Sequence, residues 1–206
     1  MKEDVILGTL LGDAWITRSY SKSKKRLYDY SFKFQQSKKE YAYWKASIIG
    51  LPFSINTYDR FDKRTNKTYT TYDCNLTLNN DIKEYYYNLF YKPKKEITLE
   101  ILNQLTDLSI CIWFLDDGNM YYNSNNCHIS LTINGFEIEQ RDLILKWFKN
   151  RYSLNFKHSQ KAIRITSKSE CIKFMNIVEQ YIPECMKYKK LSEAINNYKI
   201  KKQNEK

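Results

Sequence analysis

A chain of 206 residues with 42% hydrophobic content can form one large domain or two small ones, each with a core, which excludes disorder outside the tails. Its formal net charge of +11 is shared, six in residues 1–103 and five in 104–206, and suits a polyanionic partner met along the whole molecule. Five cysteines (Cys74, Cys111, Cys127, Cys171 and Cys185) lack any CxxC or Cys/His spacing for zinc and read as reduced thiols of an intracellular protein.

The first element, "VILGTLLGDAW" (5–15), is an apolar run ending at Asp13, too short and too closely flanked by acids to be a signal sequence or a membrane span. Residues 28–36, "YDYSFKFQQ", alternate Tyr28, Tyr30, Phe32 and Phe34 with polar residues, the period of a half-buried strand. A helix is predicted over 38–50, a strand over 69–79 and a helix over 81–90, and "YKPKKEI" (91–97) reads as a joint.

The order then repeats. "SICIWFLDDGN" (109–119) is again an apolar helix running into acids, and Asp117 stands 104 residues after Asp13, half the chain. A strand follows at 128–134, then a helix with the stripe Leu143, Ile144, Trp147 and Phe148, a strand at 162–167, a helix at 169–182 and a frayed basic tail at 199–206. Each half reads helix, two strands, helix, two strands, helix, so the expected fold is α+β, a duplicated αββαββα unit with halves at 1–97 and 98–206 and pseudo-two-fold symmetry.

The two acidic helix ends pose a physical problem. A helix C-terminus already carries about half a negative charge, so acids placed there cost roughly 0.3–1 kcal/mol each. Gly8 and Gly12 share one face of the first helix and let another backbone approach, although glycine there costs about 1 kcal/mol relative to alanine. If the 109–117 helix is that neighbour, Asp13 and Asp117 meet, and a hard divalent cation between them offsets both their repulsion and the helix dipoles.

"ILGTLLGDA" and "ICIWFLDDG" resemble the two motif copies of the LAGLIDADG homing endonucleases, in the single-chain branch encoded by organellar and bacterial introns. Gly8 keeps the motif's third-position glycine, which is Ile112 in the second copy; the final position is Ala14 in one and Gly118 in the other. The resemblance implies that the motif helices form the central interface beneath an antiparallel β-saddle for double-stranded DNA. It implies a monomer that hydrolyses both strands of a long asymmetric site and leaves 3′ overhangs. Two or three Mg²⁺ ions, replaceable by Mn²⁺, are then held by Asp13 and Asp117, with Ala14 and Asp116 as further metal-site residues. Asp116 is the more natural bystander, as a cap or a support for its neighbour. Lys95 and Lys189 would be the basic residues of the two active sites, the latter within "IPECMKYKKL" (182–191), while Gln36 and Asn134 would place water. For Asn134 the pseudo-symmetric alternative by strict register is Gly135.

Polar strand positions Ser31, Lys33, Gln35, Thr71, Asp73, Asn75, Arg164 and Thr166 are the expected DNA contacts, lying in successive major grooves. His128 and His158 have no partner motif and read as surface or strand residues. Two other functions share the resemblance: an intron RNA maturase, and a catalytically idle DNA-binding module. The retained acids favour the nuclease. The intron resemblance and a Tyr-, Asn-, Lys- and Ile-rich composition suit an organelle better than a bacterial cytoplasm, and the chain length argues against an intein.

Overall fold

The computed structural model describes residues 1–22, 25–123 and 126–204. The first half runs α1 (Lys2–Leu11), β1 (Ala14–Tyr20), β2 (Tyr28–Gln36), α2 (Lys39–Ile49), β3 (Phe53–Asp62), β4 (Lys67–Leu76) and α3 (Asn80–Phe90). A short α4 (Leu99–Gln104) leads into α5 (Asp107–Asp117), β5 (Gly118–Tyr122), β6 (Cys127–Thr132), α6 (Ile138–Tyr152), β7 (Lys157–Ser159), β8 (Ala162–Ile165) and α7 (Lys168–Val178). A 3₁₀ segment, Glu184–Lys189, and α8 (Leu191–Asn204) close the chain. The duplicated order matches the expected α+β architecture; α4 and α8 are additions to it.

Both sheets are four-stranded and antiparallel, ordered β1-β2-β4-β3 and β5-β6-β8-β7. Alternation sets their faces. Ile16, Phe32, Phe34 and Cys74 are buried in the first sheet and Ile129, Leu131, Ile163 and Ile165 in the second, so the polar residues between them face outward. The halves differ in reach, because β3 and β4 are each 10 residues long whereas β7 and β8 have 3 and 4.

The two motif helices are central. They run side by side in the same direction: near their starts Thr106 Oγ1 donates to Asp4 Oδ1 (2.9 Å), and at their ends the Asp13 N–H donates to Asp116 Oδ2 (3.3 Å). Gly8 sits between these points, and a Cβ there would lie 2.4 Å from the Ser109 carbonyl oxygen. The α5 residues Ser109–Leu115 are all buried, and Thr106 and Ser109 form a reciprocal cap at the start of that helix.

Residues 199–204 depart from the expected frayed tail, since α8 continues to Asn204. Its Tyr198 ring meets Tyr122 of β5 edge-on at 5.9 Å, an aromatic contact that adds to the docking of Leu191 and Ile195 on the core. All five cysteines are free thiols. Among the described residues, no helix is long and apolar enough to cross a membrane.

Candidate active site

Asp13 and Asp117 follow or end helices packed side by side, so the interface brings both carboxyl groups to one end. Burial, followed by the Asp116 charge, pushes Asp13 up to about 6. Burial, followed by the Asp13 charge, pushes Asp117 up to about 7. These carboxyl groups are half-exposed and under-compensated, a state that a cation relieves.

A lysine approaches each helix end. Tyr91 bridges to Lys95, and the Tyr91 hydroxyl accepts the Ile16 N–H (3.1 Å), which sets the joint beside β1 and leaves Lys95 Nζ 3.5 Å from the Ala14 carbonyl. Lys189 Nζ donates to the carbonyls of Phe114 (3.1 Å), Leu115 (2.6 Å) and Gly118 (2.8 Å). Ala14 and Gly118 hold the same motif position, so the two lysines occupy related places. Burial lowers both, Lys189 to about 8, against the pull of the nearby aspartates. Lys189 also supplies a cation to the orphan carbonyls at the end of α5. The protein itself thus offsets the helix end that sequence reasoning assigned to a metal.

Gln36, the last residue of β2, is buried; its Nε2 donates to Asp13 Oδ2 (2.9 Å) and Asp116 Oδ1 (3.2 Å). Its expected partner Asn134 requires a correction. The ladder pairs Ala14 with Phe34 and Gly118 with Leu131, so the residue two beyond is Gln36 in one half and Ile133 in the other. Ile133 is buried, while Asn134 is exposed and its carbonyl accepts from Arg141 Nη2 (3.2 Å), away from the acids. Gly135 lies one residue further along, also exposed.

Asp116 as a metal residue is also corrected. Its side chain is 0% exposed and Lys45, equally buried, donates to Oδ1 (2.8 Å) and Oδ2 (2.9 Å). The Tyr41 hydroxyl donates to Oδ1 as well (2.8 Å). Both Asp116 oxygens accept hydrogen bonds from the protein, which agrees with the sequence's alternative of an acid that supports its neighbour. Lys45 and Tyr41 escaped sequence reasoning; the signal was a lysine inside the buried stripe Tyr41, Ala42, Lys45, Ala46, Ile49 of α2.

Of the proposed DNA contacts, register puts Ser31, Lys33, Gln35, Thr71, Asp73, Asn75 and Arg164 on the outward strand faces, and Thr166 continues that alternation just past β8. The same face carries Ser54, Asn56, Tyr58 and Arg60 of β3, which the sequence reading had not named. The buried Nε of Arg164 has no hydrogen-bond partner among the described residues. His128 stacks on Tyr121 (4.8 Å) and His158 pairs with Asp142 (2.7 Å), both apart from the carboxyl pair.

Among the described residues, no three acids, histidines or cysteines converge into a cage for a metal. Two carboxylates with room for phosphate and water suit Mg²⁺, which is usually held by one or two protein carboxylates. The donor set therefore fits such an ion.

The model of the LAGLIDADG DNA endonuclease family matches residues 3–175. A probable intron-encoded endonuclease 1 of Wickerhamomyces canadensis is 27% identical over 204 residues, covering 93% of this chain and 84% of that protein. The homing endonuclease I-WcaI bound to its DNA recognition sequence superposes with a TM-score of 0.76 at 22% identity, covering 92% of this chain and 85% of the other. An I-DmoI double variant, solved with nicked target DNA in the presence of manganese, gives 0.50 at 10% identity, covering 87% and 95%. The family match spans most of the chain and includes both acidic helix ends; the protein belongs to the LAGLIDADG DNA endonuclease family.

Proposed function

We propose that this chain is a homing endonuclease that acts as a monomer, with halves 1–97 and 98–206, and cuts both strands of a long asymmetric DNA site to leave 3′ overhangs. The observation that carries this reading is the convergence of Asp13 and Asp117 at one end of the α1–α5 pair, with the half-buried Lys95 and the buried Lys189 close by. The outward strand faces supply the DNA contacts. One chain holding both halves removes the need for a symmetric partner.

Asp13 and Asp117, with the Ala14 carbonyl, would hold Mg²⁺ or Mn²⁺, which supplies Lewis acidity and an activated water when bound. The rest belongs to this chain's own side chains. Gln36 fixes the orientation of the Asp13 carboxylate and offers an amide to a water beside it. Lys95 and Lys189 place positive charge where phosphate charge grows as a P–O bond forms to water and the bond to the leaving deoxyribose oxygen breaks.

Incubation with a library of randomised duplexes and Mg²⁺, followed by sequencing of the ends, tests the reading. One long motif with 3′ extensions is expected. Uncut duplexes throughout, with the protein folded, would overturn it.

A further inference from the structure

The two halves are alike in order but unlike at the interface. The residue before each paired aspartate is Gly12, just past the end of α1, and Asp116 in α5, and the two face each other: a Cβ on Gly12 would lie 2.4 Å from the Asp116 Cβ. The empty side of the glycine accommodates the acid. Asp116 then points into the first half, where it accepts from Lys45, Tyr41, Gln36 and the Asp13 N–H.

Neither side chain of the Lys45–Asp116 ion pair is exposed to solvent. A fully buried pair forfeits hydration at both ends, so its net stabilisation is small, while its hydrogen bonds from Lys45 to both oxygens hold Asp116 in one orientation. The fixed object is Gln36. Both acceptors of its Nε2 are carboxylate oxygens, so the amide nitrogen must face the acids and the carbonyl oxygen must turn away. A cavity of about 360 Å³ opens beside it, lined by Asp13, Gln36, Tyr41, Asp116 and Lys189 but not by Asp117. On the Asp117 side the position equivalent to Gln36 is the buried Ile133.

We propose that the Lys45–Asp116 pair is a positioning device that acts through Gln36 on only one of the two strand cuts. This rests on the endonuclease reading above. The Asp13 side is tuned by an amide held from behind, while the Asp117 side works without one. The two cuts therefore respond differently to loss of the pair.

The test uses a supercoiled plasmid carrying the site selected from the randomised library, and the same duplex labelled separately on each strand, with Mg²⁺. The double variant Lys45→Met/Asp116→Leu removes both charges together and leaves none unpaired in the interior. Nicked circles are expected to accumulate, with one strand slowed on the order of 10- to 100-fold and the other near the original rate, the scale for displacing a group that positions a reacting centre. Lys45→Arg, which keeps the charge, is expected to restore the original strand ratio. Gln36→Leu leaves the ion pair in place and is expected to slow the same strand, so it serves if the double variant does not fold. Equal slowing of both strands, or of neither, in a folded variant would overturn the proposal. Absence of any cutting by the unaltered protein would instead sink the endonuclease reading, which keeps the two failures distinct.

Discussion

Lys189 Nζ lies 2.6 Å from the carbonyl oxygen of Leu115, joining the segment before α8 to the end of α5 across 74 residues of sequence. The same ammonium reaches Phe114 and Gly118. Its removal takes a charged donor from the buried end of α5, where the Phe114 carbonyl keeps the Gly118 N–H but the Leu115 carbonyl loses its ammonium, and a buried group left unpaired costs about 1–3 kcal/mol. Lys189→Met is therefore expected to lower the melting temperature as well as cleavage. An unchanged melting temperature would show that the ammonium does not cap the helix.

Asp13→Asn and Asp117→Asn each remove one of the converging carboxylates while leaving the strand faces intact. Double-strand cleavage is expected to vanish while gel-shift affinity for the selected duplex changes little. Full activity in either variant would eliminate the paired-acid mechanism.

pH and metal should be linked with a definite sign. Both carboxyl groups bind protons more tightly folded than at the ordinary value of 3.8, so in metal-free protein each subtracts stability as pH rises, completely so above about 6 for Asp13 and about 7 for Asp117. Bound Mg²⁺ cancels that penalty at high pH and must displace protons at low pH. The Mg²⁺-induced rise in melting temperature is expected to be larger at about pH 8 than at about pH 5. A pH-independent shift would place the ion elsewhere.

Gly8→Ala drives a methyl group to within 2.4 Å of the Ser109 carbonyl oxygen and 2.8 Å of the Ile112 Cβ. Backbone cannot swing aside as a side-chain tip can, and overpacking of this kind costs about 1–3 kcal/mol. Gly135→Ala meets nothing within 4 Å and serves as the control, expected within about 0.5 kcal/mol of the original in a denaturant titration. Equal stability of the two variants would mean that the helices are not in close contact at Gly8.

The site was legible in sequence where it depends on local pattern. Apolar runs ending in Asp13 and Asp117, and strict alternation in β2 and β6, fix the helix ends and the strand faces without long-range information. Positions that depend on loop length were not. The connection between β1 and β2 covers 21–27 and that between β5 and β6 only 123–126, and the second hairpin is also two residues shorter along each strand, so the offset of 104 residues at the aspartates shrinks to 97 between Phe34 and Leu131. That slip puts Ile133 opposite Gln36 and leaves Asn134 in solvent. Lys45 and Asp116 were hidden for another reason: they stand 71 residues apart, and no spacing in a sequence announces a partner chosen by packing. The tail was misjudged because Leu191, Ile195 and Tyr198, just upstream of it, dock the helix that it continues.

The Gly12–Asp116 fit makes the halves non-interchangeable. Two copies of residues 1–97 joined as a symmetric pair would set glycine against glycine and strand two buried Lys45 ammonium groups with no counter-charge. Two copies of 98–206 would press one Asp116 against the other, with the α6 lysines, Lys146 and Lys149, out in solvent. Neither half can be doubled into a homodimer without rebuilding its seam, and any hybrid assembled from halves of different relatives must import glycine, aspartate and lysine as a matched set.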